Sequence, residues 1–410
     1  MDISTRFMNY TKINTTTDPV NGAKGVMPSS QGQWDLAKLL ERELFSLSVV
    51  TSIELRDNGI LTAELKSNLS QSVPSIAFFA HLDTSAEHQN DTHATLIDYP
   101  GGDITLANGE ILAFKDNPEL ANYVGDRLFV TDGACLLGAD DKAAIAAIMD
   151  MLQYFSMHPN EPHGTIKVAF LPDEEQGLLG AKAFDTPDFA DFGYTLDCCG
   201  IGELIYENWN AGNAIVDFIG QSAHPMNSKG NLKNSILAAQ KFMALFPSTE
   251  TPEATEGREG YYWMKKIVGN SAKTTLNIDI RDFTKEGYQA RKDFIVHAVK
   301  AFQALYGENS IQLVLSDRYQ NVANFLEVDD VQFSPVSLAL NAYQTNGISP
   351  QILPMRGGYD GAVLSEYGIP CPNLFTGAHN FHSIFEYLPL KSLQAASNVI
   401  KTIVKSNVQG

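Results

Sequence analysis

At 410 residues the chain exceeds the usual size of a single hydrophobic core, so two or three domains are expected. Its 44% hydrophobic and 19% charged content is that of an ordinary water-soluble globular protein. A net charge of −19, from 48 acids against 29 lysines and arginines, repels phosphate backbones and anionic lipid; it excludes nucleic acid and membrane surfaces as partners and favours cations. The first 17 residues show no apolar core or cleavage pattern, and no apolar run approaches membrane-spanning length, so the expected compartment is the cytoplasm. Cys135, Cys198, Cys199 and Cys371 lack C-x-x-C spacing and read as small reduced thiols rather than a disulfide framework.

In chain order, a helical N-terminal segment precedes an amphipathic helix over Trp34–Leu47. Asn58-Gly59 between two short alternating runs marks a hairpin within Ile53–Leu65. Ile76–Ala80 is a continuous apolar run suited to a central strand, and it delivers His81-Leu-Asp83. Residues 87–122 are polar and turn-rich and read as an excursion from the core. A strand over Arg127–Thr131 leads through Gly133 and Gly138 into Asp140-Asp141-Lys142 and a helix to Met157. Ile166–Leu171 reads as a strand buried on both faces, ending in Asp173, Glu174 and Glu175; Tyr194–Leu196 is another, ending at Asp197. Strands alternate with helices and polar residues fall at strand ends, where open α/β sheets carry their sites.

Near residue 210 the pattern changes to β-α-β-β-α-β: Ala214–Ile219, Leu232–Phe246, Tyr261–Val268, Lys273–Ile280, Lys285–Tyr306 and Ile311–Leu315. That is the split ferredoxin-like order. The earlier pattern resumes with helices over Pro335–Thr345 and from Leu390 to about Val404. A catalytic α/β domain of residues 1–208 and 319–410 is therefore expected, interrupted by an inserted α+β domain of residues 209–318.

Three carboxylates at the mouth of a buried strand repel one another and resist desolvation unless a cation sits among them. Singly, each polar stretch has a plain reading: Asp197 as a helix cap, His81-x-Asp83 as a surface pair. Jointly they supply two imidazoles and several carboxylates, the donor set for a pair of zinc-like ions. Two ions about 3.5–4 Å apart need a shared carboxylate, and Asp83 stands where it can take the other ring N–H of His81.

The ordered set His81-Leu-Asp83, Gly138-Ala-Asp-Asp-Lys142, Pro172-Asp-Glu-Glu175, Asp197 and His382-x-x-x-Glu386 resembles the dizinc aminoacylase/carboxypeptidase-type metallopeptidases, and the likeness runs nearly end to end. The resemblance implies a zinc-exopeptidase-like catalytic domain, a mixed sheet between helices, with the inserted domain serving as lid and homodimer contact. It implies two Zn2+ per subunit, with Co2+ or Mn2+ as substitutes. His81 and Asp197 would bind one ion, Glu175 and His382 the other, with Asp140 shared. His382 is preferred to His379 because it alone stands four residues before a glutamate, as the family pattern requires. Glu174 would be the general base and Asp83 would orient His81. His224, in Gln221-Ser-Ala-His-Pro225, would help hold the oxyanion. Arg356, and secondarily Arg281, would anchor the carboxylate end of a short peptide.

The implied activity is hydrolysis of the N-terminal residue from tripeptides, with water activated between the two metals and Glu174 moving its proton. Dipeptidase, carboxypeptidase and N-acyl amino acid deacylase activities are the alternatives within the family. A non-catalytic peptide-binding relative would lack a ligand or the base, and each is present. No Gly-x-Ser-x-Gly and no P-loop spacing occurs. Cys198 and Cys199, directly after Asp197, would make the site sensitive to oxidation.

Overall fold

The computed structural model describes residues 1–88, 91–197, 199–326 and 334–409. The chain divides into two compact units. One comprises Met1–Tyr206, Phe325–Leu353 and Tyr359–Gly410; the other comprises Glu207–Asn324 and Pro354–Gly358.

The first unit is built on an eight-stranded mixed sheet. At one edge the Asn58-Gly59 hairpin joins Val50–Leu55 to Leu61–Leu65, with Gly59 at φ 79°, a turn conformation that a side chain would strain. The strand Leu61–Leu65 pairs antiparallel with Ile166–Leu171, which runs parallel to Ile76–His81, itself parallel to Phe192–Thr195. Such central strands are covered on both faces, which is why Ile76–His81 is buried throughout and reads as an unbroken apolar run. In this register His81 pairs with Leu171 and Phe79 with Thr195, so three parallel strands end level. Their carboxyl ends deliver His81, the Asp173–Glu175 turn and Asp197 to one edge.

The helix Ala139–Met157 is buried around almost its whole circumference, as an alanine-rich helix packed inside a protein must be. Its first residues are not helical: Asp140 has φ −83° and ψ 96°, and Asp141 φ −122° and ψ 25°. Both carboxylates therefore leave an irregular turn rather than the flank of a helix.

Residues 91–122 lie apart from the main sheet but carry more packed structure than their polar composition suggests. Thr95–Asp98 pairs with Arg127–Val130, which also pairs with Tyr387–Pro389. The strand after residue 126 thus belongs to a small separate sheet, not to the main one. Tyr99, Ile104, Leu106, Leu112, Leu120, Tyr123 and Tyr387 make an apolar cluster there. These apolar residues are spaced singly along a polar stretch, so no period betrays them.

The second unit has a four-stranded antiparallel sheet in the order Tyr261–Gly269, Lys273–Asp282, Asn210–Ile219, Ile311–Tyr319. The helices Ser235–Met243 and Lys285–Tyr306 pack through Phe242, Ile295, Val299 and Phe302 against Val216, Phe218, Leu276 and Ile278. This is the β-α-β-β-α-β order of the sequence pattern, with longer strands and a shorter first helix.

Candidate metal centre

His81, Asp140, Asp141 and Asp197 form one group of ligand atoms lying within 4.8 Å of one another; Asp140, Glu175 and His382 form a second. Asp140 is common to both. Its Oδ1 lies 2.9 Å from His81 Nε2, and its Oδ2 lies 3.2 Å from His382 Nε2. Asp197 Oδ1 stands 4.0 Å from His81 Nε2, and Glu175 Oε1 2.7 Å from His382 Nε2. His81, Asp140, Asp141 and Asp197 are buried, whereas His382 sits at the exposed rim with a side chain 40% accessible.

The backbone around Glu175, Asp140 and Asp197 is clamped by buried side chains. The Asp83 carboxylate, fully buried, accepts the N–H of Glu174 at 3.0 Å and of Glu175 at 3.1 Å. His81 Nδ1 lies 3.0 Å from the Asp83 carbonyl oxygen and 3.4 Å from its carboxylate. The backbone thus holds the ring more closely than the side chain does, and Nε2 is left to face the acids. Glu386 accepts the N–H groups of Gly138 at 2.8 Å and Asp140 at 3.1 Å. Gly138, at φ 72°, supplies the left-handed residue this tight entry needs. Asn373 accepts the Asp197 N–H at 2.8 Å and donates to the Asp197 carbonyl at 2.7 Å.

Asp141, Glu386 and Asn373 escape a reading of residue types. Asp141 is hidden as the neighbour of Asp140, Glu386 serves in the sequence only as a spacing marker, and nothing singles out Asn373. Asp173 corrects the view that all three acids of the turn need a cation. Its carboxylate points away from the cluster and is satisfied by Ser29, Gln33 and Thr17. His379 is not in either ligand group. Its Nε2 is 2.7 Å from the Tyr123 hydroxyl and its ring stacks on Tyr387.

The electrostatics are those of a site prepared for cations. Burial pushes the Glu174 carboxyl well above the usual range, and the charge of Asp197 adds to it. Burial likewise lifts Glu175 to about 7. Hydrogen bonds to Asp140 and Glu175 hold His382 up at about 11. Burial alone would depress His81, but its bonds to Asp140 and Asp83 outweigh that and raise it. Asp140, despite burial, is held far below the usual carboxylate range by the two imidazoles. Asp141 Oδ1 is buried without a hydrogen-bond donor, as an acceptor meant for a metal would be. Nitrogen and oxygen donors grouped around a shared carboxylate suit a dinuclear site.

The other three residues singled out in the sequence belong to the second unit. His224 is exposed; its Nδ1 accepts the Met226 N–H at 3.2 Å, which leaves the ring proton on Nε2. Arg281 is 8% exposed and bonded to the Gly212 carbonyl and to Asp279. The Arg356 guanidinium lies over Trp209 and Tyr261, 4.9 Å and 5.4 Å from the ring centres, and donates to Gly257 O, Glu259 O and Thr255 Oγ1. Cys199 is buried and unbridged, and Cys198 lies outside the described residues.

The sequence pattern of peptidase family M20/M25/M40 matches residues 131–406. Peptidase T of Clostridium perfringens strain 13 is 43% identical over 403 residues, covering 98% of this chain and 97% of the relative. Peptidase T of Caldanaerobacter subterraneus subsp. tengcongensis is 41% identical over 405 residues with the same coverage. The fold is similar to that of the crystallised aminopeptidase PepT from Bacillus cereus, with TM-score 0.77 and 21% identity over 99% of this chain and 98% of that one. It is also similar to the Bacillus subtilis YXEP protein, described as a dinuclear metal binding peptidase, with TM-score 0.65 and 15% identity over 99% of both chains. The chain belongs to peptidase family M20/M25/M40, among its peptidase T members.

Proposed function

We propose that this chain is a metal-dependent aminopeptidase that removes the N-terminal residue from tripeptides. The observation that carries the reading is the position of Asp140, whose two oxygens each face a different imidazole-containing ligand group, with the Glu174–Glu175 turn alongside. His81 and Asp197 would hold one ion, Glu175 and His382 the other, and Asp140 both. Two Zn2+ are the proposed occupants, with Co2+ or Mn2+ able to substitute. Bound there, a pair of divalent cations supplies Lewis acidity at the scissile carbonyl and acidifies water.

The chain's own residues do the rest. Glu174, held basic by burial, takes the proton of the attacking water and returns it to the departing amine. Asp83 fixes the His81 ring and the peptide planes that carry Glu174 and Glu175. His224 Nε2–H is a donor suited to the developing oxyanion. Arg356 is the proposed carboxylate anchor. Arg281, bonded to Asp279 and the Gly212 carbonyl, is the second candidate anchor.

The catalytic domain is proposed to comprise residues 1–208 and 319–410, with 209–318 as lid and homodimer contact. The edge strand Tyr261–Gly269 offers Trp263, Ile267 and Val268, 44%, 46% and 59% exposed, as apolar contacts for the dimer, beside the exposed Lys265 and Lys266. The proposed location is the cytoplasm; among the described residues no helix is long and apolar enough to cross a membrane.

The deciding experiment measures bound metal and turnover together. Chelation should abolish activity and zinc, cobalt or manganese restore it, with tripeptides preferred over di- and tetrapeptides and over N-acetyl amino acids. Full activity after complete metal removal would sink the metal assignment. A preference for N-acetyl amino acids or dipeptides would replace the aminopeptidase reading with one of the family alternatives.

A further inference from the structure

The turn that presents Glu174 is gripped from its far side by the N-terminal segment. Asp173 is wholly buried and its backbone is left-handed, φ 55° and ψ 41°, a conformation a non-glycine residue adopts only when its surroundings impose it. Its Oδ2 accepts the Ser29 N–H at 2.7 Å. Its Oδ1 accepts from Gln33 Nε2 at 2.7 Å, from Thr17 Oγ1 at 3.1 Å and from the Ser29 hydroxyl. Gln33 returns the contact, its Oε1 accepting the Asp173 N–H at 3.1 Å. At the other end of the turn, Gln176 Nε2 donates to Ser29 Oγ at 2.9 Å and also to Thr17 Oγ1.

Glu174 and Glu175 are thus the two residues between a pair of anchors, Asp173 and Gln176, that share Ser29 and Thr17. Their amides are tied on the opposite side to Asp83. A buried carboxylate is costly unless hydrogen-bonded, and here four donors from residues 17–33 reach it, three at Oδ1 and one at Oδ2. A merely structural plug could be apolar. An acid here instead pins the residue immediately before Glu174 through its side chain, while Gln33 holds that residue's own N–H.

We infer that Asp173 is a positioning residue for Glu174, and that Thr17, Ser29 and Gln33 act on the reaction through it. The inference rests on Glu174 being the proton-transfer residue. A displacement of about 1 Å in such a group costs up to about 10²-fold in rate, so the expected effect is on kcat.

The test is a double-mutant cycle on the metal-loaded, full-length protein, with steady-state tripeptide turnover measured at substrate excess. Gln33→Ala and, separately, Asp173→Asn should lower kcat roughly 10–100-fold while KM stays within about twofold and metal content stays at the wild-type value. In a Glu174→Gln background the same substitutions should have little further effect. Gln33→Ala removes a surface-remote amide and guards against failure of Asp173→Asn to fold. An undiminished loss in the Glu174→Gln background overturns the inference alone, because the network would then act elsewhere. So does a fall in activity that only tracks lost metal. Near-normal turnover of Glu174→Gln by itself would instead remove the base assignment, and the inference with it.

Discussion

The Asp83 carboxylate accepts the backbone N–H of Glu174 at 3.0 Å, and its second oxygen takes the N–H of Glu175 at 3.1 Å. One buried acid thereby sets the orientation of the proposed base and of a ligand, while its carbonyl and carboxylate both lie against His81 Nδ1. A carboxylate gives each of two parallel N–H groups its own oxygen. Asp83→Asn turns an NH2 toward one of them. The expected result is a roughly 10–100-fold fall in kcat/KM. Unchanged kinetics in a well-folded Asp83→Asn protein would show that the two amides hold their place without it.

Glu174 makes a sharper prediction, because a base can be removed without removing a ligand. Glu174→Gln should keep the wild-type metal content and lose roughly 10²–10⁴-fold in kcat, the usual worth of positioned proton transfer. Metal analysis and steady-state kinetics on the same preparation check it. A Glu175→Gln protein should behave differently, losing metal from the His382 side first.

Much of this site can be read in the sequence, and the reason is positional. Parallel strands end level, so an acid or histidine just after an unbroken apolar run, as at His81 and Asp197, is delivered to the sheet's carboxyl edge. The long helix Lys285–Tyr306 is equally plain because its apolar positions keep one period over its whole length. Asn373 and Glu386 are not legible. Their work is to hold backbone groups of Asp197 and Asp140, and nothing in residue type or spacing marks a side chain that bonds a peptide 176 or 246 positions away. Asp173 misleads for the complementary reason: charge says cation, whereas four hydrogen-bond donors from residues 17–33 satisfy it. The small sheet around Thr95–Asp98 was obscured by composition, since its apolar residues arrive one at a time between turns.

Glu386 gives a prediction about stoichiometry. It is 2% exposed and holds the amides of Gly138 and Asp140, the entry to the residue that both ligand groups share. Glu386→Gln turns an NH2 against an N–H and should displace Asp140, weakening both metals together by roughly 10–100-fold. Titration of metal-free protein should show the two affinities falling in parallel. Loss of one ion with the other unchanged would mean that Asp140 is not common to both.

His379 predicts a pH dependence of stability separate from catalysis. Burial holds its imidazole down at about 4, beside the Tyr123 hydroxyl and the Tyr387 ring. In the unfolded chain a histidine titrates near about 6.5. A depressed value means that the folded state binds the proton less readily, so the stabilisation is complete above about pH 6.5 and disappears as pH falls toward 4. The shift corresponds to at most about 3 kcal/mol, less to the extent that the ring edge meets water. His379→Gln keeps an acceptor for Tyr123 and removes the ionisation. Urea unfolding of metal-free wild type and variant across this range should therefore show wild type losing the extra stability, with the curves converging toward pH 4. Parallel curves would mean that the ring takes up its proton without leaving the aromatic cluster, and that acid sensitivity arises at the carboxylates instead.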